Sequence, residues 1–353
     1  MPNLAATVPQ QWNELLKQFN DLDGCTTNGL AVQRLSGGLI NDTFALGDAW
    51  ILQRLHRIFA ATVNLDIQAL VPHLLRAGVP VPQLALAKDG KPWVELTEPP
   101  EIAGVWRIMN RLEGQTLHRL ECADQAYAAA QLVARFHGAL RQLPHTFHFS
   151  RPGAHDTVQH MANLRLAVAQ GTDHRLHREV AILAEEILER WGQWQPTPAL
   201  PTRIVHGDLK VSNLLFAGQL PVAILDLDTM AAGTLDLELG DALRSWCNRT
   251  AEDATEPCFD ADIFAAVLDG YRAEAQSWVG QDELRCLPAA TLRICLELSA
   301  RFAADAIRES YFGWDSVAFA SRGDHNLARA RNQLGLARAV TQALPRLKTA
   351  AGH

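Results

Sequence analysis

No stretch of this 353-residue sequence approaches the run of about 18 apolar residues that a membrane-spanning helix requires. Lys and Arg number 32 against 39 Asp and Glu and are scattered singly, so the broad basic footprint that nucleic acid demands is missing at a net charge of −7. Neither a membrane nor a nucleic acid is expected as a partner. The six cysteines, Cys25, Cys122, Cys247, Cys258, Cys286 and Cys295, are widely dispersed, with no C-x-x-C pair and no clustered histidine partner at metal-ligand spacing. Reduced structural thiols are expected rather than a zinc or redox centre. There is no internal period, no low-complexity tract and no long Gly/Ser linker, which removes repeat arrays and disordered tails. The opening MPNLAATVPQQWNELLKQF lacks the basic-then-apolar layout of a secretory signal, and the expectation is a soluble, cytoplasmic monomer or homodimer.

What is present divides into two regimes. With 48% hydrophobic residues the chain can bury a sizeable core in one large domain or two lobes. Residues 30–112 carry short β-rich runs (LAVQRL, TFALG, WILQRL, QLALAKDGKPWVEL, VWRIMNRL) separated by Gly and Pro, with KDGKP at 88–92 as a turn. Between them, TVNLDIQALVPHLLRA at 62–77 spaces its apolar residues at helical intervals and stops before Gly78, which predicts a helix lying between strands. From about residue 120 onward the pattern is mostly helical, as in DQAYAAAQLVARFHGAL and REVAILAEEILERW. The expected class is α+β, with a small antiparallel-sheet lobe over 1–110 and a large helical lobe over 111–353.

The helical half is interrupted at TRIVHGDLKVSNLLFAGQLPVAILDLDTM, where short apolar runs alternate with loops carrying carboxylates. A phosphoryl group in transfer needs its charge neutralised and an attacking oxygen held in line, and asks little else of a protein. Mg²⁺ takes one or two protein oxygens besides those of phosphate. Asn213 and Asp226 offer one neutral and one charged oxygen. Asp208 can face an incoming hydroxyl, and Lys210 can reach a transferring phosphoryl as a point charge. Taken singly, each Asp is more often a loop N-cap or a solvated residue.

HGDLKVSN resembles the catalytic loop H-R-D-L-x-x-x-N of protein kinases, with ILDLD in the place of their Asp-Phe-Gly. Gly207 in place of Arg makes the segment similar to the aminoglycoside phosphotransferase and choline kinase group of small-molecule kinases. That resemblance implies a bilobal protein-kinase-like fold using ATP and Mg²⁺. It implies a nucleotide-binding first lobe and a catalytic, substrate-binding second lobe. Asp208 would be the base beside Lys210, Asn213 and Asp226 the metal ligands, and Asp228 a second acid near metal or substrate. Nucleotide contacts would fall at Gly37, Gly38, Asn41 and Thr43 in LSGGLINDTFAL, at Gln53, and at the backbone of Met109 to Arg111. The family usually carries Lys or Arg on the strand where this chain has Gln53, with Arg54 on the opposite face, and a Glu on the next helix where Gln68 stands.

GGLINDTF, ILQRLHRIF, ILDLDTM, GDALR, RFAADAIRESYF and HNLARARNQLGLARAV together resemble the N-acetylhexosamine 1-kinase branch. That implies phosphorylation of the anomeric hydroxyl of an N-acetylated hexosamine. Asp241 with Arg244, and Arg301 with Asp305, would then bind the sugar; on helical spacing alone they read equally as surface ion pairs. His155 and Asp156 read as substrate loop or as a histidine beside an N-cap, and Tyr311 and Phe312 as packing residues. The alternatives are another hydroxyl acceptor (homoserine, choline or an aminoglycoside) and a non-catalytic binding protein on the same fold.

Overall fold

A computed structural model describes residues 6–7, 10–20, 31–35 and 41–353. The chain divides into two compact units: residues 1–114 with 142–150 and 223–230, and residues 115–141 with 151–222 and 231–353.

The first unit is built on a six-stranded sheet. Its strands are β1 (Ala6–Thr7), β2 (Ala31–Arg34), β3 (Asp42–Leu46), β4 (Trp50–Arg54), β5 (Val94–Leu96) and β6 (Gly104–Asn110), in the order β1-β2-β3-β4-β6-β5. All the pairings are antiparallel. β3, β4 and β6 carry β-branched and aromatic residues such as Thr43, Phe44, Trp50, Ile51, Val105, Trp106 and Ile108, which suit a pleated, packed surface. Helix α1 (Gln10–Leu16) brings Trp12, Leu15 and Leu16 into a core with Leu46, Leu52, Trp106 and Ile108. The Trp12 ring meets Phe44 at 4.7 Å and Trp106 at 5.7 Å between centroids.

Helix α2 (Val63–Arg76) buries Val63, Ile67, Leu70, Val71 and Leu74, the stripe its sequence spacing predicts. It ends where expected: Gly78 takes φ +71°, and the Val79 amide closes back on the Leu74 carbonyl at 3.0 Å.

The second unit is mainly helical, with α3 (Ala123–Leu140), α4 (Thr157–Gln170), α5 (His177–Gln193), α6 (Leu235–Trp246), α7 (Ala261–Ala275), α8 (Gln281–Arg285), α9 (Leu287–Arg308) and α10 (Arg322–Ala351). Apolar residues occupy most of the circumference of α9, which packs against α4, α5, α6 and α10 and is the centre of this unit. Helices α3 and α7 approach closely because Gly270 faces the Tyr127 backbone, where any Cβ would collide. Short strands complete the unit. β8 (Arg203–Val205) pairs with β11 (Ala231–Gly233), while β7 (Gln115–Thr116), β9 (Leu214–Ala217) and β10 (Leu220–Ile224) form a sheet in the order β10-β9-β7.

Among the described residues no helix is long and apolar enough to cross a membrane. Cys122, Cys247, Cys258, Cys286 and Cys295 are free, and burial pushes the Cys295 thiol up to about 12.

Candidate active site

The chain leaves β8 through His206 and Gly207, turns at Gly207 with φ +81°, and enters a short 3-10 turn at Val211–Asn213 before β9. Helix α6 grips this loop along its length. The Glu238 carboxylate accepts from the amides of His206 at 2.8 Å and Gly207 at 2.9 Å; Ser245 accepts from the Val211 amide at 3.3 Å; Trp246 donates its indole N–H to the Leu209 carbonyl at 2.7 Å. Burial alone would raise Glu238, but the hydrogen bond and charge of His137, with His206 and the Gly207 amide, outweigh it and hold the carboxyl below its ordinary value. His137 is itself fixed on its other nitrogen by Tyr271, 2.9 Å away. A buried carboxylate thus organises a loop whose own amides have no strand partner.

On this platform Asp208, Lys210 and Asn213 converge. Asp208 Oδ2 lies 2.6 Å from Lys210 Nζ and 3.1 Å from Asn213 Nδ2, and Asn213 Nδ2 also donates to the Asp208 carbonyl at 2.7 Å. The Asn213 carboxamide nitrogen is therefore committed to Asp208, which leaves Oδ1 as the atom turned to a ligand. A hard cation takes an oxygen of this kind, so the residue fits a Mg²⁺ site.

Charged residues of α6 and of the segment after it form a second cluster in the same unit. Arg244 bonds Asp241 at 2.8 Å and reaches Glu252 at 3.3 Å, as the helical spacing of the first two residues predicts. Asp241 is buried and the side chain of Arg244 is only 12% exposed, so this is no surface ion pair. Burial opposes the Asp241 charge, but Arg244, His155 and Lys210 outweigh it and lower its pKa.

Arg301 and Asp305 do not pair. Arg301 turns to Glu297, 3.8 Å away, and lies over the Phe312 ring. The buried Asp305 accepts from the amides of Ser310, Tyr311 and Phe312 at 2.9–3.0 Å and from Asn326 at 2.9 Å. Helix geometry allows an arginine a partner on either side, and here the Asp305 oxygens are occupied by the loop amides after α9 and by Asn326.

Glu297 is one of the residues, with Glu238, Asn64 and Arg107, that the sequence did not single out. It accepts from His155 Nδ1 at 3.0 Å and Thr157 Oγ1 at 2.5 Å. Burial works against a charge on His155, but the Glu297 bond outweighs it and raises its pKa. Asp156 is the N-cap of α4, bonded to the Gln159 amide, and Phe312 packs on Phe302.

In the first unit, Asp226 stands at φ 59°, ψ 62°, a left-handed conformation that costs an L residue ~1–2 kcal/mol and is concentrated at functional sites. Its side chain is exposed, whereas Asp228 is fully buried. Both Asp228 oxygens are engaged, by Arg107 at 2.6 and 2.9 Å and by Asn41 at 2.8 Å, so in this structure Asp228 is the counter-ion of Arg107 rather than an open ligand.

Cross-strand register sets Gln53 opposite Arg107 and Thr43. Gln53 accepts from Arg107 at 2.7 and 3.0 Å and donates to Thr43 at 3.0 Å. Asn64 of α2 completes the guanidinium shell at 3.2 Å, four residues before the exposed Gln68, where the resembled family usually carries a Glu. Arg54 faces away and is paired with Asp42. The one sequence signal for this network was a lone arginine inside the apolar run VWRIMN.

The amides of Asn110 and Arg111 already donate to the Gln83 and Ala49 carbonyls, at 3.1 and 2.7 Å, and the Met109 side chain is buried. Gly37 and Gly38 lie outside the described residues.

Comparison with known proteins bears on this arrangement. Residues 31–278 match the family described as "Phosphotransferase enzyme family". A homoserine kinase of Rhodopseudomonas palustris (strain HaA2) is 26% identical over 220 residues, which span 62% of this chain and 62% of the relative, less than two thirds of its length. A microcompartment-associated aminopropanol kinase superposes with a TM-score of 0.62 at 15% identity, covering 95% of this chain and 97% of the other. Choline kinase from Cryptosporidium parvum Iowa II gives 0.60 at 13% identity, with the same coverage. The fold is the bilobal protein-kinase-like α+β fold expected from the sequence.

Proposed function

The chain belongs to the phosphotransferase enzyme family, whose acceptors are alcohols, and from that premise we propose that it moves the γ-phosphoryl group of ATP to the hydroxyl of a small amino alcohol of the homoserine class. The observation that carries the chemistry is Asp208: its carboxylate is held by Lys210 at 2.6 Å and Asn213 at 3.1 Å on a loop anchored by Glu238. Asp208 accepts the proton of the attacking hydroxyl and orients its oxygen. Lys210 offers its charge to the transferring phosphoryl group. Asn213 and Asp226 are the residues we assign to Mg²⁺, which would neutralise charge on the phosphate oxygens. Asp228 and Arg107 position the turn that bears Asp226. With Gln53 where a cation is usual, phosphate charge falls to Lys210, the metal and backbone donors.

For the acceptor, the expected N-acetylhexosamine gives way. The named relatives are homoserine kinases, and the cluster of His155, Asp241, Arg244, Glu297 and Arg301 offers both signs of charge in one buried region. A zwitterion carrying its own ammonium and carboxylate matches such a set better than an uncharged sugar does.

The test is a panel of homoserine, amino alcohols, aminoglycosides and N-acetylhexosamines with Mg²⁺-ATP, read by phosphate NMR of the product. An ester phosphate on a primary hydroxyl of homoserine or a related amino alcohol is expected. An anomeric phosphate would restore the sugar reading, and nucleotide binding without any product would leave a binding protein.

A further inference from the structure

Away from the residues above, the first unit brings together Asp66, in the first turn of α2, and two histidines of the segment between α3 and α4. His145 Nε2 and His148 Nδ1 both lie 2.9 Å from the same oxygen, Asp66 Oδ1. The three ligand atoms are within 4.8 Å of one another. The His148 amide bonds the carboxylate at 3.0 and 3.2 Å, and the Phe149 amide donates to Oδ2 at 3.1 Å.

Oδ1 therefore faces three nitrogens, more than its two lone pairs suit, while Oδ2 is held only by backbone amides. A carboxylate accepts and never donates, so each imidazole must turn an N–H to the same point. Capping the 145–149 turn asks only for the two amides; a pair of histidines converging on one oxygen is surplus to it. The phosphoryl-transfer chemistry uses none of the three.

We propose that Asp66, His145 and His148 bind a divalent transition metal of the zinc class. Two imidazole nitrogens and one carboxylate oxygen are the donor set such ions take, whereas Mg²⁺ prefers oxygen alone. The cation takes the space between Asp66 Oδ1 and the two ring nitrogens, replacing the two N–H bonds to that oxygen, and each ring then carries its one proton on the far nitrogen.

The Oδ2 amides fix the carboxylate plane, the role that outer partners play around metal ligands. Access is graded: the Asp66 side chain is 3% exposed, His145 11% and His148 50%, so the open coordination position lies on the His148 side, toward water. Phe59 and Phe149, with ring centroids 5.7 Å apart, pack beside the segment. Bound metal ties residues 145–148 to α2, the helix that also carries Asn64 of the Arg107 network.

The test uses the untagged full-length protein. Calorimetric titration with Zn²⁺ should show one tight equivalent, and Co²⁺ should give the visible absorption of a low-coordinate nitrogen and oxygen site. His148→Ala, at the exposed ligand, and the double variant with His145→Ala should bind Zn²⁺ ~100-fold or more weakly, since altering outer partners alone changes affinity by about 10 to 100-fold. Circular dichroism establishes that each variant is folded. Millimolar Mg²⁺ should not displace the Zn²⁺. Absence of the tight equivalent, equal affinity in a folded His148→Ala variant, or displacement by Mg²⁺ overturns the assignment. The chain has 13 histidines, so retention of binding in the variants would mean that other side chains hold the ion.

Discussion

The guanidinium of Arg107 grips both oxygens of Asp228, at 2.6 Å through Nη1 and 2.9 Å through Nη2, across 121 positions of sequence. Neither side chain is more than 3% exposed. Gln53, Asn64 and Asn41 fill the remaining hydrogen-bonding positions of the pair, so the turn after Asp226 is pinned to the sheet by a fully partnered charge.

Removing one partner of such a pair leaves a buried charge without compensation. Arg107→Met should therefore lower unfolding stability by about 3–5 kcal/mol, measured by urea denaturation followed through tryptophan fluorescence. A loss below about 1 kcal/mol, the range of exposed ion pairs, would mean that Asp228 is solvated and not pinned.

Asp208→Asn preserves the shape of the side chain and removes its ability to take a proton. Turnover should fall on the order of 10² or more, with nucleotide binding retained. Lys210→Ala should reduce kcat while sparing acceptor KM if, as proposed, the lysine meets the phosphoryl group and not the acceptor. Near-normal kcat in Asp208→Asn would remove Asp208 from the role of base.

His155 and Glu297 set a pH window for stability. The His155 pKa is raised from 6.5, so its contribution is complete below 6.5 and fades as pH climbs through the raised value. The Glu297 pKa is lowered from 4.5, so its contribution is complete above 4.5 and fades as pH falls through the lowered value. The difference in Tm between wild type and His155→Gln should therefore be widest between those two values and shrink toward alkaline pH. A difference that grows above pH 6.5 would contradict the pairing.

Asp305→Ala strips the amides of Ser310, Tyr311 and Phe312 and the Asn326 carboxamide of their shared acceptor. Each buried donor left unmade costs about 1–3 kcal/mol, less where water can enter, so a total on the order of 3 kcal/mol is expected by denaturant unfolding. Arg301→Ala, whose partner is 3.8 Å away, should lose far less. A reversed ranking would return Asp305 to the helix surface.

Features carried by neighbours in the chain were legible. The helix over 62–77 and its stop at Gly78 follow from period and punctuation, and α2 ends as they dictate. The loop from His206 to Asn213 was visible because its charged and amide side chains lie within eight positions of one another. Within α6, Glu238, Asp241 and Ser245 recur at helical intervals on one face, and that spacing could have exposed Glu238 as a partner of the loop.

Arg107, Asn64 and Glu297 could not be read in this way. Whether Gln53 meets a phosphate or a guanidinium depends on which residue of β6 lies opposite it, and strand register is decided by turns and core packing elsewhere in the sheet. Arg301 had helical neighbours on both sides, and the choice fell to Glu297 because the loop after α9 folded back onto Asp305.

By itself, then, the sequence determined the α+β class, the helix between the strands and the loop that gathers Asp208, Lys210 and Asn213, since period, turn chemistry and short spacing act within a few residues. The tertiary structure alone decided which charges neutralise one another in the interior. A buried charge takes whichever partner packing brings within about 3 Å, and residues 121 positions apart along the chain meet only once the sheet has formed.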